Sequence, residues 1–174
     1  MRKLKYYVAC TVDGFIAHKD HTIDGFLQDG EHVTDYLESF KWFDVVVMGR
    51  KTYEFGLNLG VTNPYPTMKQ YVFSRTMKES PDEHVELVSE NIVELVRALK
   101  NEPGKDIYLC GGAELATTLF TEHLIDEIIL KLNPVLFGSG IPLFSEAIQQ
   151  TALELTDSKI YTNGVVLLFY RVNN

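Results

Sequence analysis

Asp44-Val45-Val46-Val47-Met48-Gly49-Arg50-Lys51-Thr52 decides how this chain is read. A short unbroken apolar run, rich in β-branched residues and lacking polar alternation, predicts a strand buried on both faces. Gly49 ends it and lets the backbone approach a ligand closely. Two cations and a hydroxyl then open a stretch that reads as helix. A helix start offers free N–H groups and the positive end of the helix dipole, which suits phosphate, and Arg50 and Lys51 add full charge there. The plainer reading is a solvated basic helix start.

Two further strand ends repeat the design. Tyr71-Val72-Phe73-Ser74-Arg75-Thr76 closes a strand with hydroxyl, guanidinium and hydroxyl. Arginine grips phosphate bidentately. In dinucleotide sites an acid at such a position takes the ribose hydroxyl of NAD, whereas Arg accommodates the extra phosphate of NADP. Ile107-Tyr108-Leu109-Cys110-Gly111-Gly112-Ala113-Glu114-Leu115 runs a strand through paired glycines into a helix. That is a pyrophosphate cradle in outline, although not the Gly-x-Gly-x-x-Gly fingerprint. Each alone reads equally well as an ordinary turn. Together, three strand ends, two of them basic, would gather at one edge of a parallel sheet, where α/β proteins bind ligands.

The rest of the pattern fits that sheet. Residues 4–10 read as a strand, broken by Asp13-Gly14 and resumed briefly at Phe15-Ile16-Ala17; residues 18–30 form a polar loop. Residues 31–40 read as a helix with Val33, Tyr36, Leu37 and Phe40 on one face. Strands are expected at 70–73 and 84–88. A helix follows at 91–100, with Ser89 as its N-cap, then a strand at 106–110 and a helix at 113–120. Residues 125–132 and 165–172 are β-rich runs with no helices of their own. Strand–helix alternation over the first two thirds predicts parallel pairing with crossovers, and the last third predicts antiparallel strands added to the same sheet. The expectation is one α/β domain over residues 1–174: a mixed, mostly parallel sheet flanked by helices.

Composition narrows the function. The 174 residues suffice for one domain with a substantial core, and 45% apolar with 23% charged is ordinary for a globular protein. The formal net charge of −8 disfavours nucleic acid or an anionic membrane as partner, since both are polyanions. Against that background the cluster Arg50, Lys51 and Arg75 is a local departure. No apolar stretch approaches the roughly 20 residues needed to span a bilayer, and no signal-peptide core follows Met1-Arg2-Lys3, so a cytoplasmic protein is expected. Cys10 and Cys110 each sit in an apolar run and read as buried thiols. His18, His21, His32, His84 and His123 show no metal-ligand spacing, and no metal is expected. Phe40, Trp42 and Phe43 read as core.

Met48-Gly49-Arg50-Lys51-Thr52-Tyr53-Glu54, Ser74-Arg75-Thr76 and Cys110-Gly111-Gly112-Ala113-Glu114-Leu115 resemble, in order and spacing, the NADPH-binding segments of the dihydrofolate reductase superfamily. Residues 9–17 resemble its first strand and the start of its mobile loop. Ile125-Asp126-Glu127-Ile128, followed by Asn133-Pro134-Val135-Leu136-Phe137-Gly138-Ser139-Gly140-Ile141-Pro142-Leu143-Phe144, resembles the RibD C-terminal branch, the reductases of riboflavin synthesis. The resemblance covers essentially the whole chain and implies a dihydrofolate reductase-like fold that binds NADPH. It would set Gly49, Arg50, Lys51 and Thr52 on the phosphates and Ser74 and Arg75 on the adenosine 2′-phosphate. Cys110, Gly111, Gly112, Ala113, Glu114 and Leu115 would lie along the pyrophosphate, and Ala9 and Ile16 would flank the nicotinamide.

There are departures. Dihydrofolate reductases carry a carboxylate on the helix after the mobile loop; the matching place here is Val33, with Glu31 and Asp35 beside it. Thr67-Met68-Lys69 stands where a folate-binding arginine would. Folate is therefore disfavoured as substrate. The zinc deaminase motif that often precedes this branch is missing, so the expected reaction is reduction alone, of 5-amino-6-(5-phosphoribosylamino)uracil or a related small molecule. Asp13, Glu31 and Asp35 are the candidate catalytic carboxylates; Asp13-Gly14 reads as simply as a turn. The competing expectations are a nucleotide-binding protein without chemistry and a pterin or folate reductase. A homodimer is expected, because the C-terminal strands would otherwise leave an apolar edge exposed.

Overall fold

A computed structural model describes residues 1–145 and 148–173. In chain order it runs β1 (Leu4–Thr11), β2 (Phe15–Ala17), α1 (Glu31–Ser39), a 3₁₀ turn (Phe40–Trp42), β3 (Phe43–Gly49), α2 (Arg50–Asn58), β4 (Lys69–Phe73) and β5 (Val85–Val88). It continues through α3 (Ile92–Asn101), β6 (Asp106–Gly111), α4 (Ala113–Thr121), β7 (Glu127–Asn133), β8 (Ile141–Pro142), β9 (Leu153–Ile160) and β10 (Val166–Val172). Eight strands join one sheet in the order β5-β4-β3-β6-β1-β7-β10-β9, and β2 pairs with β8 in a small separate ribbon. From β5 across to β7 every neighbouring pair is parallel; β10 and β9 are antiparallel additions.

Strand β7 departs from the expectation that everything after residue 125 is antiparallel: it lies parallel to β1, Lys5 to Thr11 facing Glu127 to Asn133. Among the described residues no helix follows this strand. The crossover is the helix before it, α4, which carries the chain from β6 across β1 to β7. Strand β9 was not anticipated. Its residues Leu153-Glu154-Leu155-Thr156-Asp157-Ser158-Lys159-Ile160 are all exposed, so no buried face imposes an alternation on the sequence.

The sheet packs a core on each face. Helices α3 and α4 press Val96, Leu99, Ala116 and Leu119 onto Leu4, Val47, Ile107 and Leu109. On the other face α2 contributes Tyr53 and α1 contributes Tyr36, against Tyr7, Val46, Val72 and Tyr108. Helix α1 is turned somewhat from the face its spacing implied: Tyr36 and Phe40 pack on the core as expected, but Leu37 is 57% exposed, while His32 and Ser39 are buried. Trp42 lies at the rim, 38% exposed, rather than in the core. Ser89 is not an N-cap; α3 starts later, with Asn91 capping it in the left-handed region.

One topological detail positions the site. Strands β3 and β6 are neighbours, but the helix after β3 crosses one face and the helix after β6 crosses the other. Their carboxyl ends therefore part around a crevice, the place where open α/β sheets take ligands.

Candidate functional site

The crevice is the middle of a long cleft of ≈ 1120 Å³. Met48 on β3 stands in register with Gly111 on β6, so the two glycine-bearing strand ends lie side by side. A Cβ on Gly49 would come within 3.5 Å of the Gly112 backbone nitrogen, so a side chain there would begin to fill the cradle. Gly111 holds φ near +117°, where side chains are strongly disfavoured, and its peptide bond to Gly112 is cis. The N-caps of α2 and α4 are Gly49 and Gly112, and neither helix has a side-chain cap. The free N–H groups of both first turns thus face the same crevice, suiting it to an anion.

Charge in the cleft is divided unevenly. Arg50 is held by Glu54, its Nη1 donating to both carboxylate oxygens at 2.8 Å. The Lys51 ammonium stands 4.0 Å from Glu114. At one end, the Ser74 hydroxyl accepts the backbone N–H groups of Thr76 and Met77 at 3.3 and 2.9 Å, which turns the chain and throws Arg75 outward. Arg75 rests over the Phe73 ring, 5.8 Å from its centre, and is exposed. It makes no ion pair among the described residues. The other end is apolar, walled by Ala9, Ile16, Ala17, Ile23 and Phe26, with Ile141 and Pro142 of the ribbon beside them.

The residues expected to meet the cofactor are thus brought together: Ala9, Ile16, Gly49, Arg50, Lys51, Thr52, Ser74, Arg75, Cys110, Gly112, Ala113, Glu114 and Leu115 all line this cleft. Gly111 lies just behind the lining, against Tyr6. The catalytic candidates are not brought there. Asp13 accepts the backbone N–H of Phe137 and of Gly138, at 3.2 and 2.7 Å, and the Thr11 hydroxyl at 2.6 Å. Glu31 and Asp35 both receive the Lys159 ammonium, and Asp35 also accepts the Tyr161 hydroxyl at 2.7 Å. All three carboxylates are spent on holding elements together. Sequence reasoning missed Lys19, His21 and Phe26, loop residues that line the cleft with no spacing to mark them.

Cys110 departs from the simple buried thiol. It lines the cleft, and its sulfur lies 3.2 Å from the Tyr65 hydroxyl. Tyr65 continues to Tyr36 at 3.4 Å and Tyr36 to Tyr108 at 2.9 Å. Burial pushes the thiol up, and the Tyr36 phenol to about 12, so this chain of groups is neutral at physiological pH. Among the described residues no group of three His, Cys, Asp or Glu side chains is placed to hold a metal, and no helix is long and apolar enough to cross a membrane.

The loop between β2 and α1 is pinned at its far end by the β9–β10 turn. Asn163 Nδ2 donates to Nδ1 of buried His32 at 3.0 Å, and His32 Nε2 in turn donates to the Leu27 carbonyl at 3.1 Å. The turn between β1 and β2 that leads into it is held through Asp13, and hydrogen bonds to that side chain hold the carboxyl below the ordinary carboxylate range, the Thr11 hydroxyl foremost. A depressed carboxyl stabilises the fold above its unfolded pKa and loses that contribution as pH falls through the folded value. Protection of the Gly138 amide in hydrogen exchange should therefore hold from neutral pH down to the ordinary carboxylate range near pH 4 and fall below it. Asp13→Ala should remove the protection at every pH.

Comparison with known proteins decides the family. The model of the RibD C-terminal domain matches residues 2–167. The chain belongs to the RibD C-terminal domain family. Within it, the chain is 37% identical over 171 residues to the uncharacterized protein YwjB of Bacillus subtilis, covering 98% of each chain. It is 34% identical over 184 residues to the uncharacterized protein YyaP of the same organism, covering 99% of this chain and 96% of the other. Among solved structures it superposes with a TM-score of 0.85 and 26% identity on a Shewanella protein whose name links it to riboflavin biosynthesis, covering 99% of both. With a TM-score of 0.74 but only 14% identity it also matches the fold of the Thermotoga maritima deaminase/5-amino-6-(5-phosphoribosylamino)uracil reductase, covering 99% of this chain and 57% of that one. The mostly parallel sheet flanked by helices, with its antiparallel C-terminal strands, is thus the RibD-like form of the dihydrofolate reductase fold.

Proposed function

We propose that this RibD C-terminal domain protein is an NADPH-dependent reductase. The observation that carries the reading is the unpaired, exposed Arg75 beside buried Ser74, at one end of a cleft whose middle is two uncapped helix starts and whose far end is apolar. Ser74 and Arg75 would take the adenosine 2′-phosphate, the α2 and α4 N-termini with Arg50 and Lys51 the pyrophosphate, and Ala9 and Ile16 the nicotinamide. Bound there, NADPH supplies hydride. The chain's own work is to orient the substrate against Ala9 and Ile16 and to exclude water with Ile23 and Phe26. Lys19 sets positive charge at that same end and His21 offers its ring nitrogens, which suits an acidic substrate. The substrate we favour is 5-amino-6-(5-phosphoribosylamino)uracil, the compound named in the reductase half of the Thermotoga relative. Mixing the protein with NADPH and that compound should consume the reduced cofactor; NADPH binding without turnover across cyclic C=N and C=O substrates would favour a nucleotide-binding protein instead. That second reading draws on the commitment of Asp13, Glu31 and Asp35 elsewhere. The same commitment weakens the folate reductase reading.

The reductase is proposed to work as a homodimer. The face of β7, β10 and β9 beyond helices α3 and α4 carries Leu130, Val166, Leu168, Leu155 and Ile160, all at least partly exposed, with Leu155 at 53% and Ile160 at 79%. An apolar stripe of this kind at a sheet edge invites a second copy. Light scattering should give twice the 19.8 kDa chain mass, and Leu155→Glu with Ile160→Glu should return it to one.

A further inference from the structure

We propose that Lys131 is the proton donor of the reductase, a role left vacant when the carboxylates turn out to be committed elsewhere. The inference rests on the reductase reading above and assigns a residue that reading lacks. Lys131 lies on β7 in register with Ala9 of β1. Strand neighbours in register share a face of the sheet, so the lysine stem rises beside the alanine that walls the apolar end of the cleft. Above it lies Tyr36 of α1, whose ring centre is 5.1 Å from the ammonium nitrogen.

The surroundings offer that ammonium no counter-charge. The Tyr36 ring faces it directly, and the other titratable groups on that side of the sheet are Tyr7 on β1, Tyr108 and Cys110 on β6, and Lys159 on β9, whose ammonium holds Glu31 and Asp35 of α1. Burial keeps the three phenols and the thiol protonated. Asp35 is taken by Lys159 and Tyr161. The Lys131 carbonyl accepts from Asn133 Nδ2 at 3.2 Å, but its ammonium makes no hydrogen bond or ion pair among the described residues. Its ring contact is a cation–π interaction, which tolerates a cation but does not neutralise it. Burial lowers the Lys131 pKa with no opposing contribution, so the ammonium is a stronger acid than an ordinary surface lysine. Lys19 and His21, by contrast, are exposed on the loop and suit substrate binding.

The step balances. As the substrate carbon accepts hydride, the π pair of its C=N or C=O bond moves to the heteroatom. The heteroatom takes a proton from the Lys131 ammonium, and the neutral amine left behind recovers one from water.

Two measurements on the full chain test this. In protein labelled with ¹³C at the lysine ε carbons, the Lys131 signal is identified by its loss in Lys131→Met. It should shift when NADPH and then 5-amino-6-(5-phosphoribosylamino)uracil are added, and titrate at lower pH than the other lysines. A Lys131 signal that ignores both additions, or titrates with the surface lysines, overturns the proposal. In single turnovers with the same two compounds, Lys131→Met should lower the hydride-transfer rate on the order of 100-fold or more, the scale of a lost general acid. NADPH affinity should be kept, and the fall in rate on the alkaline side should disappear. Lys131→Arg, which keeps the charge but does not give up its proton, should not restore the rate; full activity in either variant overturns the proposal. If the wild-type protein itself does not turn over, the substrate assignment fails, and the lysine spectra alone decide the place of Lys131.

Discussion

Arg75→Ala should weaken NADPH binding by roughly 10- to 100-fold while leaving NADH binding unchanged, as calorimetry with each cofactor would read. The expected loss is about 1.5–3 kcal/mol, the scale of a hydrogen bond to a charged group. The exposure of Arg75 sets the result toward the low end, because solvent screens a surface charge. The effect should nonetheless be selective. Arg50 is already held by Glu54 and Lys51 faces Glu114, so neither can replace a free guanidinium at the Ser74 turn. If NADPH and NADH lose affinity equally, Arg75 does not read the 2′-phosphate. If neither cofactor binds the wild-type protein, the cleft takes another ligand and the reductase reading falls.

The other large effect comes from a glycine at the cleft's apolar end, Gly140, to which no ligand group is assigned. Gly140→Ala should cost about 2–3 kcal/mol of stability, in the upper part of the range for single substitutions, and so lower Tm by about 4–12 °C. A Cβ on Gly140 would collide with the carbonyl oxygen of Ala17, a backbone atom that cannot rotate away. Relief requires the β2–β8 ribbon to open, and that ribbon brings Ile16, Ile141 and Pro142 to the apolar end of the cleft. Cofactor affinity should therefore fall together with stability. Gly138→Ala is the control. It has a positive φ of 72° but nothing within 4 Å of the added carbon, so only the backbone cost of about 1–2 kcal/mol applies. Equal melting shifts for the two variants would show that conformation, not the collision, controls this segment.

The half of the cleft proposed for the cofactor was legible as a gathering of strand ends because its residues lie in short contiguous motifs. Gly49 to Thr52, Ser74 with Arg75, and Cys110 to Leu115 each carry a strand, a turn and a helix start within a few residues, and parallel pairing alone lines them up. The substrate half was not legible. Its walls come from the loop between β2 and α1 and from residues near 140, whose arrangement depends on long-range ties such as Asp13 to Gly138 and Asn163 to His32. Nor did the spacing of residues 31–40 show which side of α1 is buried. His32 goes inside because its two ring nitrogens both find partners, and Leu37 stays outside because α1 lies over the sheet on its Tyr36 side. Lys131 reads as an ordinary polar break in a β run until its neighbour across the sheet is known to be Ala9.

The Asn163–His32–Leu27 tie has a consequence for dissecting the molecule. The turn that joins β9 to β10 belongs to the sheet edge farthest from Arg75, yet it holds the end of the segment that walls the apolar end of the cleft. A shortened chain ending after β8 would lose more than two strands: the loop segment would keep the tether from Asp13 to Gly138 and lose the one at His32. Such a fragment should still present the three strand ends at Gly49, Ser74 and Gly111, but the apolar end of its cleft would have a single hinge where the intact protein has a clasp.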